Sequence, residues 1–276
     1  MHKVGISSFA YNFAAGYRGN FKPDCIMTPI ELIDKASQLG ADVVQISDNK
    51  ALEFYDADFM DEVRTHAEKC GIEIEVGMRE STAERLEKYI GITQQLGGKL
   101  LRLITDGKEY KPSLDECCRV FSSVTPMLEE TGIVLAIENH DRFTSREYAE
   151  MVERVNHPNV GLTVDTVNSL SIEETLDEVL SNMAPYCACL HVKDYEIKRY
   201  NGGGGLKITG AKPGTGRLDL QSCYKFCCDK SRYDFNLILE AWMEPCDTLE
   251  ETLQVENEWA AEGVRILSGL SIEQEK

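Results

Sequence analysis

Three runs decide the fold: Ile133-Val134-Leu135-Ala136-Ile137-Glu138, Val160-Gly161-Leu162-Thr163-Val164-Asp165 and Ala188-Cys189-Leu190-His191-Val192-Lys193. Each has strand length, is mostly apolar, and carries a metal-binding or proton-transferring group at or near its end. Asp165 follows Glu138 by 27 residues, His191 follows Asp165 by 26, and Glu240, at the end of Asn236–Glu240, follows His191 by 49. One strand-plus-helix unit of a (β/α)₈ barrel takes roughly 25–30 residues. The four groups therefore fall on four consecutive strands. The longer last interval holds a glycine-rich loop, residues 194–217, containing Gly202-Gly203-Gly204-Gly205.

The same rhythm runs outward in both directions. Strands are expected at Lys3–Ser8, Asp42–Ser47, Ile72–Met78 and Lys99–Thr105, before the four above. Helical patterns lie between them, near Thr28–Gln38, Asp58–Lys69, Ser81–Leu96, Ser113–Glu130, Ser145–Val155, Ser171–Met183, Asp219–Lys230 and Leu249–Leu267. Thr28 followed by Pro29 reads as a helix start, Gly40, Gly71 and Gly132 as stops, and Ser81 with Glu84 as a capping box. Parallel strands need crossovers, and eight β-α units predict an α/β fold, a single (β/α)₈ TIM-barrel domain over residues 1–276. The competing architecture, a doubly wound open sheet, lacks its signature: Ser7-Ser8-Phe9-Ala10-Tyr11 stands where a glycine fingerprint would follow the first strand.

The chain has 276 residues, with 47 Asp plus Glu against 29 Lys plus Arg and a formal net charge of −18. That charge repels phosphate backbones and anionic lipid, so neither nucleic acid nor a membrane is an expected partner. No run approaches the roughly 18 apolar residues of a membrane span, and the start lacks the apolar core of a signal peptide. Ten cysteines form no CxxC pair and read as small buried hydrophobes in a reducing cytoplasm.

Active sites of such barrels lie at the strand C-terminal ends. There this sequence places Ser7, Asp48, Glu80, Asp106, Glu138, Asp165, His191 and Glu240, six of them carboxylates. So many acids at one mouth need a cation or raised pKa values to persist. Three carboxylates and one imidazole (Glu138, Asp165, His191, Glu240) suit a divalent ion, Mn²⁺ first, with Mg²⁺, Co²⁺ or Zn²⁺ as alternatives.

The order Ile137-Glu138-Asn139-His140, Val164-Asp165, His191-Val192-Lys193-Asp194, Gly214-Thr215-Gly216-Arg217 and Leu239-Glu240 resembles the xylose-isomerase-like barrel superfamily, in particular its sugar phosphate isomerase/epimerase group. The resemblance implies metal binding by Glu138, Asp165, His191 and Glu240. It implies acid/base work by Glu138 and Glu240, and a substrate contact by Arg217. Two positions depart from the ketose 3-epimerases, which carry a glutamate where Thr144 stands and a histidine where Asn168 stands. The implied function is a divalent-metal isomerase or epimerase of a sugar, keto-sugar or polyol ketone. Its alternative is a lyase or dehydratase on a 3-keto-glycoside or inosose through the same enolate chemistry. The acidic mouth favours a neutral carbohydrate over a phosphorylated one, and a homo-oligomer is compatible with the sequence.

Other residues carry two readings. His140 either serves the substrate or turns into its loop, and Lys193 either reaches the pocket or is solvated. Arg102, in mid-strand, reads as a structural partner for a barrel acid. Tyr11, Phe13, Tyr17 and Arg18 either wall the pocket or pack the first loop. Gly202–Gly205 reads as a lid, and His66 as a surface residue. An endonuclease-IV-like phosphodiesterase would need more histidines at strand ends and a basic face. A non-enzymatic binding barrel is disfavoured by the acids and histidine in ligand order.

Overall fold

The computed structural model describes residues 2–16, 23–200 and 204–273. Tyr17, Arg18, Gly202 and Gly203 lie outside that set. Eight parallel strands close into a barrel: β1 (Val4–Ser7), β2 (Val43–Ile46), β3 (Glu73–Arg79), β4 (Leu100–Ile104), β5 (Val134–Glu138), β6 (Val160–Asp165), β7 (Cys187–Val192) and β10 (Asn236–Leu239), with β10 pairing to β1. Helices α1 (Pro29–Leu39), α2 (Ala57–Cys70), α3 (Ala83–Gln95), α4 (Leu114–Thr131), α5 (Ser145–Val155), α6 (Leu176–Met183), α7 (Leu220–Lys230) and α8 (Leu249–Glu273) follow the strands in turn.

Strand alternation explains both core and site. Leu135 and Ile137 of β5 join the large cluster between barrel and helices, whereas Ala136 belongs to a small cluster with Val43, Leu100, Ala188, Cys189 and Ile238. Two residues beyond Leu100, Ala136, Cys189 and Ile238, on the same face of each strand, stand Arg102, Glu138, His191 and Glu240. That small apolar cluster, with a buried Glu75 hydrogen-bonded to Gln45 and Asn236, fills the lower barrel, and the donor cluster stands above it at the strand C-terminal ends.

Three local expectations are corrected. The cap of α3 is Thr82, whose hydroxyl accepts from Arg85 N–H, while Ser81 donates to the Thr105 carbonyl at 3.0 Å instead. The helix expected from Ser171 begins later: a 3₁₀ turn covers Asn168–Ile172, Glu173 takes φ 65°, and a Thr175–Glu178 capping box starts α6. The segment 194–217, expected to be irregular, contains an antiparallel hairpin of β8 (Asp194–Tyr200) and β9 (Gly205–Ala211).

Asp194 anchors that hairpin. Its buried carboxylate accepts backbone N–H groups from Tyr195 (2.8 Å), Gly214 (3.0 Å), Gly216 (2.8 Å) and Leu218 (3.2 Å). Gly214 has φ +77°, and a Cβ at Gly216 would overlap the Asp194 carboxylate, so both glycines are required by the turn. A hydrogen bond to a charged group contributes about 1.5–3 kcal/mol. Asp194→Ala is accordingly expected to speed amide exchange at Gly214, Gly216 and Leu218 roughly 10- to 100-fold. Unchanged exchange there would contradict the anchoring role.

Candidate metal centre

Glu138, Asp165, His191 and Glu240 are fully buried or nearly so, and one ligand atom from each lies within 4.8 Å of every other. His191 Nδ1 is the hub, 3.5 Å from Glu138 Oε2, 3.9 Å from Asp165 Oδ2 and 3.4 Å from Glu240 Oε1. Donors around an ion with bonds of about 2.0–2.2 Å lie at comparable mutual separations. His191 Nδ1, Asp165 Oδ2 and Glu240 Oε1, which face one another, are buried without a hydrogen-bond partner. Buried polar atoms are ordinarily satisfied, so these three mark where a ligand is needed. The residues fit a divalent cation of the oxygen- and imidazole-binding kind.

The surrounding residues hold the donors in place. Asp165 Oδ1 accepts the N–H groups of Val167 and Asn168, both at 2.8 Å, which leaves Oδ2 turned toward His191. Asn139 clamps the same backbone, accepting Asp165 N–H at 2.7 Å and donating to the Asp165 carbonyl at 3.0 Å. Asn168 Nδ2 donates to Glu138 Oε1 at 2.8 Å, and its Oδ1 accepts from Lys193 Nζ at 3.1 Å. Strand-end reasoning missed the contacts that these two asparagines make with the donor cluster. Asn139 sits inside the Ile137–His140 motif but had no visible partner. Asn168 entered only as a departure from the epimerase pattern.

Three cations balance the acids. Arg102, 2% exposed, binds Glu138 Oε2 through Nε and Asp48 Oδ1 through Nη1 at 2.9 Å. Arg79 reaches the other oxygen of Asp48 at 3.3 Å. Lys193 Nζ lies 2.8 Å from Asp165 Oδ2 and 3.0 Å from Glu240 Oε2. Burial alone would raise the pKa of Glu240, but Lys193, His191 and Arg102 outweigh it and hold the carboxyl well below its usual range. Burial likewise opposes ionisation of Glu138, and Arg102 with His191 reverses the sign. Lys193 is desolvated too, yet Asp165, Glu240 and Glu138 keep its pKa above the ordinary lysine value. Both glutamates are therefore anions near neutrality.

The other candidates disperse. His140 turns into its loop, with Nδ1 2.9 Å from Asp141 Oδ2 and its backbone N–H given to Tyr148 Oη. Arg217 is exposed, its backbone N–H fixed by the Tyr195 carbonyl. Thr144 caps α5 in a capping box with Glu147. Tyr11 and Phe13 are buried, which favours packing of the first loop. A cavity of about 290 Å³ opens beside the cluster, lined by Asn168, Lys193, Ile208 of the hairpin, Trp242, Val167 and Asp141. A larger one, about 570 Å³, includes Glu75, Leu100 and Asn236 at the opposite end of the barrel, away from the ligand set.

A family model described as "Xylose isomerase-like TIM barrel" matches residues 33–268. The chain belongs to that family. A 3-oxo-isoapionate decarboxylase from Pectobacterium atrosepticum is 26% identical over 267 residues, covering 96% of this chain and 94% of that protein. A D-psicose 3-epimerase from Clostridium cellulolyticum H10 superposes with a TM-score of 0.73 at 16% identity, covering 97% of this chain and 99% of the other. A xylose isomerase-like TIM barrel protein from Mycobacterium smegmatis, solved in complex with magnesium, gives 0.69 at 16% identity over 98% of each chain. The expected superfamily and barrel are borne out. Among the described residues no helix is long and apolar enough to cross a membrane.

The charge balance carries a stability prediction. Removing one partner of a buried ion pair costs about 3–5 kcal/mol, because the other charge is left uncompensated. Arg102→Met should destabilise the metal-free protein by that order in urea unfolding, and adding Glu138→Gln should recover much of the loss. An Arg102→Met variant within about 1 kcal/mol of the parent would contradict the assignment.

Proposed function

We propose that the chain is a divalent-metal-dependent isomerase or epimerase of a small ketone-bearing sugar or polyol, working through an enediolate. The observation that carries this reading is the four-donor cluster, whose flanking members are both ionised glutamates. Mn²⁺ is the proposed cation, with Mg²⁺, Co²⁺ or Zn²⁺ as alternatives. Held by Glu138, Asp165, His191 and Glu240, it would supply Lewis acidity toward a substrate carbonyl, worth several kcal/mol of charge stabilisation.

The two glutamates differ in readiness. Both oxygens of Glu138 are engaged, one by Arg102 and one by Asn168. Glu240 gives one oxygen to Lys193, and its Oε1 is unpartnered. Glu240 is therefore assigned as the acceptor of the proton beside the carbonyl, and Lys193 as the group that holds the carboxylate in line. Trp242 and Ile208 form an apolar wall for the carbon skeleton and limit water at the reacting carbon. Glu138 would return a proton for epimerisation. Arg217 and His140, at the rim, would meet the distal end of a substrate only through movement of their loops. Among the described residues the cysteines form no disulfide, which fits a reducing cytoplasm.

The engagement of both Glu138 oxygens favours a second reading, a lyase. Loss of a β-oxygen, or of CO₂ from a 3-oxo sugar acid, passes through the same enolate and needs only one mobile proton. The Pectobacterium relative is named for a decarboxylation of that kind.

Deuterium incorporation separates the branches. Mn²⁺-loaded protein in D₂O, given ketohexoses, inososes, 3-keto-glucosides and 3-oxo sugar acids, should label the carbon beside one carbonyl, and NMR after metal removal reads the position. Conserved mass identifies isomerisation or epimerisation, whereas CO₂ or water release identifies the lyase. Glu240→Gln should slow turnover roughly 10²- to 10⁴-fold. Labelling at the parent rate in that variant would overturn the role given to Glu240.

A further inference from the structure

Among the described residues, a second group of metal-ligating side chains gathers as closely as the first. Asp34, His66 and Cys70 each place one donor atom within 4.8 Å of the other two. His66 and Cys70 are four residues apart on α2, so they share one helix face, and Asp34 meets them from the neighbouring helix α1. His66 Nε2 sits between its partners, 2.7 Å from Asp34 Oδ1 and 3.8 Å from Cys70 Sγ.

An imidazole–carboxylate ion pair explains only part of this arrangement. Nε2 has one position for a proton or a lone pair, so it cannot serve both the carboxylate and the thiol as a hydrogen-bonding group. A single cation satisfies all three. We propose that Asp34, His66 and Cys70 form a second, structural metal site for Zn²⁺ or a similarly thiophilic divalent ion.

Donors around Zn²⁺, with bonds of about 2.0–2.3 Å, stand roughly 3.2–3.7 Å apart. The thiol–imidazole spacing of 3.8 Å would close by about 0.1 Å or more, and the Asp34–His66 contact would open by less than about 1 Å. The side chains of His66 and Asp34 are 31% and 46% exposed, which allows the adjustment and leaves room for a water as fourth ligand. On binding, the Cys70 thiol loses its proton to solvent as the metal–sulfur bond forms, and Nε2 offers its lone pair with the ring proton on Nδ1. The ion would clip α1 to α2 on the outside of the barrel, independently of the mouth.

The ligand chemistry of the two sites differs in a way that can be measured. The mouth offers three carboxylates and an imidazole and no sulfur, whereas the helix site includes a thiolate. The full chain, reduced and stripped of metal, would be titrated with Co²⁺. A thiolate-to-Co²⁺ charge-transfer band should appear and saturate by two equivalents per chain, with the amplitude of one thiolate-bound ion, because the mouth takes the other ion without sulfur. It should be lost in Cys70→Ser, require at least roughly 10-fold more Co²⁺ in His66→Gln, and persist in Glu240→Gln. As a measurement independent of the variants, Zn²⁺ should slow alkylation of Cys70, mapped by mass spectrometry, more than roughly 10-fold. Absence of the band in the parent, its survival in Cys70→Ser, or alkylation of Cys70 at the same rate with and without Zn²⁺ would overturn the proposal.

Discussion

Arg102 and Lys193 make the barrel mouth habitable. The three carboxylates of the donor cluster and Asp48 crowd into one buried or half-buried space, and isolated ions there would cost several kcal/mol each. Arg102, Arg79 and Lys193 answer them with three positive charges, placed within hydrogen-bonding or ion-pairing reach of the acids they offset. One negative charge is left over. A divalent cation turns that remainder positive, a local field suited to an anion that forms only during reaction.

This balance also sets the character of the glutamates. A general base poised near neutrality needs a raised pKa, and here both glutamates are held down instead. Such carboxylates are weak bases, so the proposed chemistry would depend on acidifying the carbon beside the carbonyl. The chain's own contribution is then geometric: Asn139 and the Val167 and Asn168 amides fix Asp165, Asn168 fixes Glu138, and Lys193 fixes Glu240. Asp194 does the same for the hairpin that brings Ile208 to the cavity.

The barrel was legible because its strands alternate cleanly and end on polar groups at regular spacing. Glu138, Asp165, His191 and Glu240 could be placed together from that spacing, since a strand end in a closed barrel has one place to point. Arg102 was visible as a charged residue within a strand. Its pairing with both Glu138 and Asp48 depends on β4 sitting beside β5 and across from the end of β2, which closure decides. Lys193 had even odds of facing solvent, because the residue after a strand's end obeys no alternation. The hairpin was hidden by its glycine run, although Tyr195, Ile197 and Arg199 alternate with their neighbours and pair with Gly210, Ile208 and Leu206. The turn of His140 into its loop was not legible, because it follows from the pairing of its ring with the neighbouring Asp141.

The central claim is that four side chains from β5, β6, β7 and β10 bind one divalent ion. Anomalous diffraction from crystals grown with Mn²⁺ tests it most directly. The account predicts one strong peak at the barrel mouth within bonding distance of Glu138, Asp165, His191 Nδ1 and Glu240. A map with no peak there, or with the ion held by other residues while His191 keeps both nitrogens unbound, would contradict it.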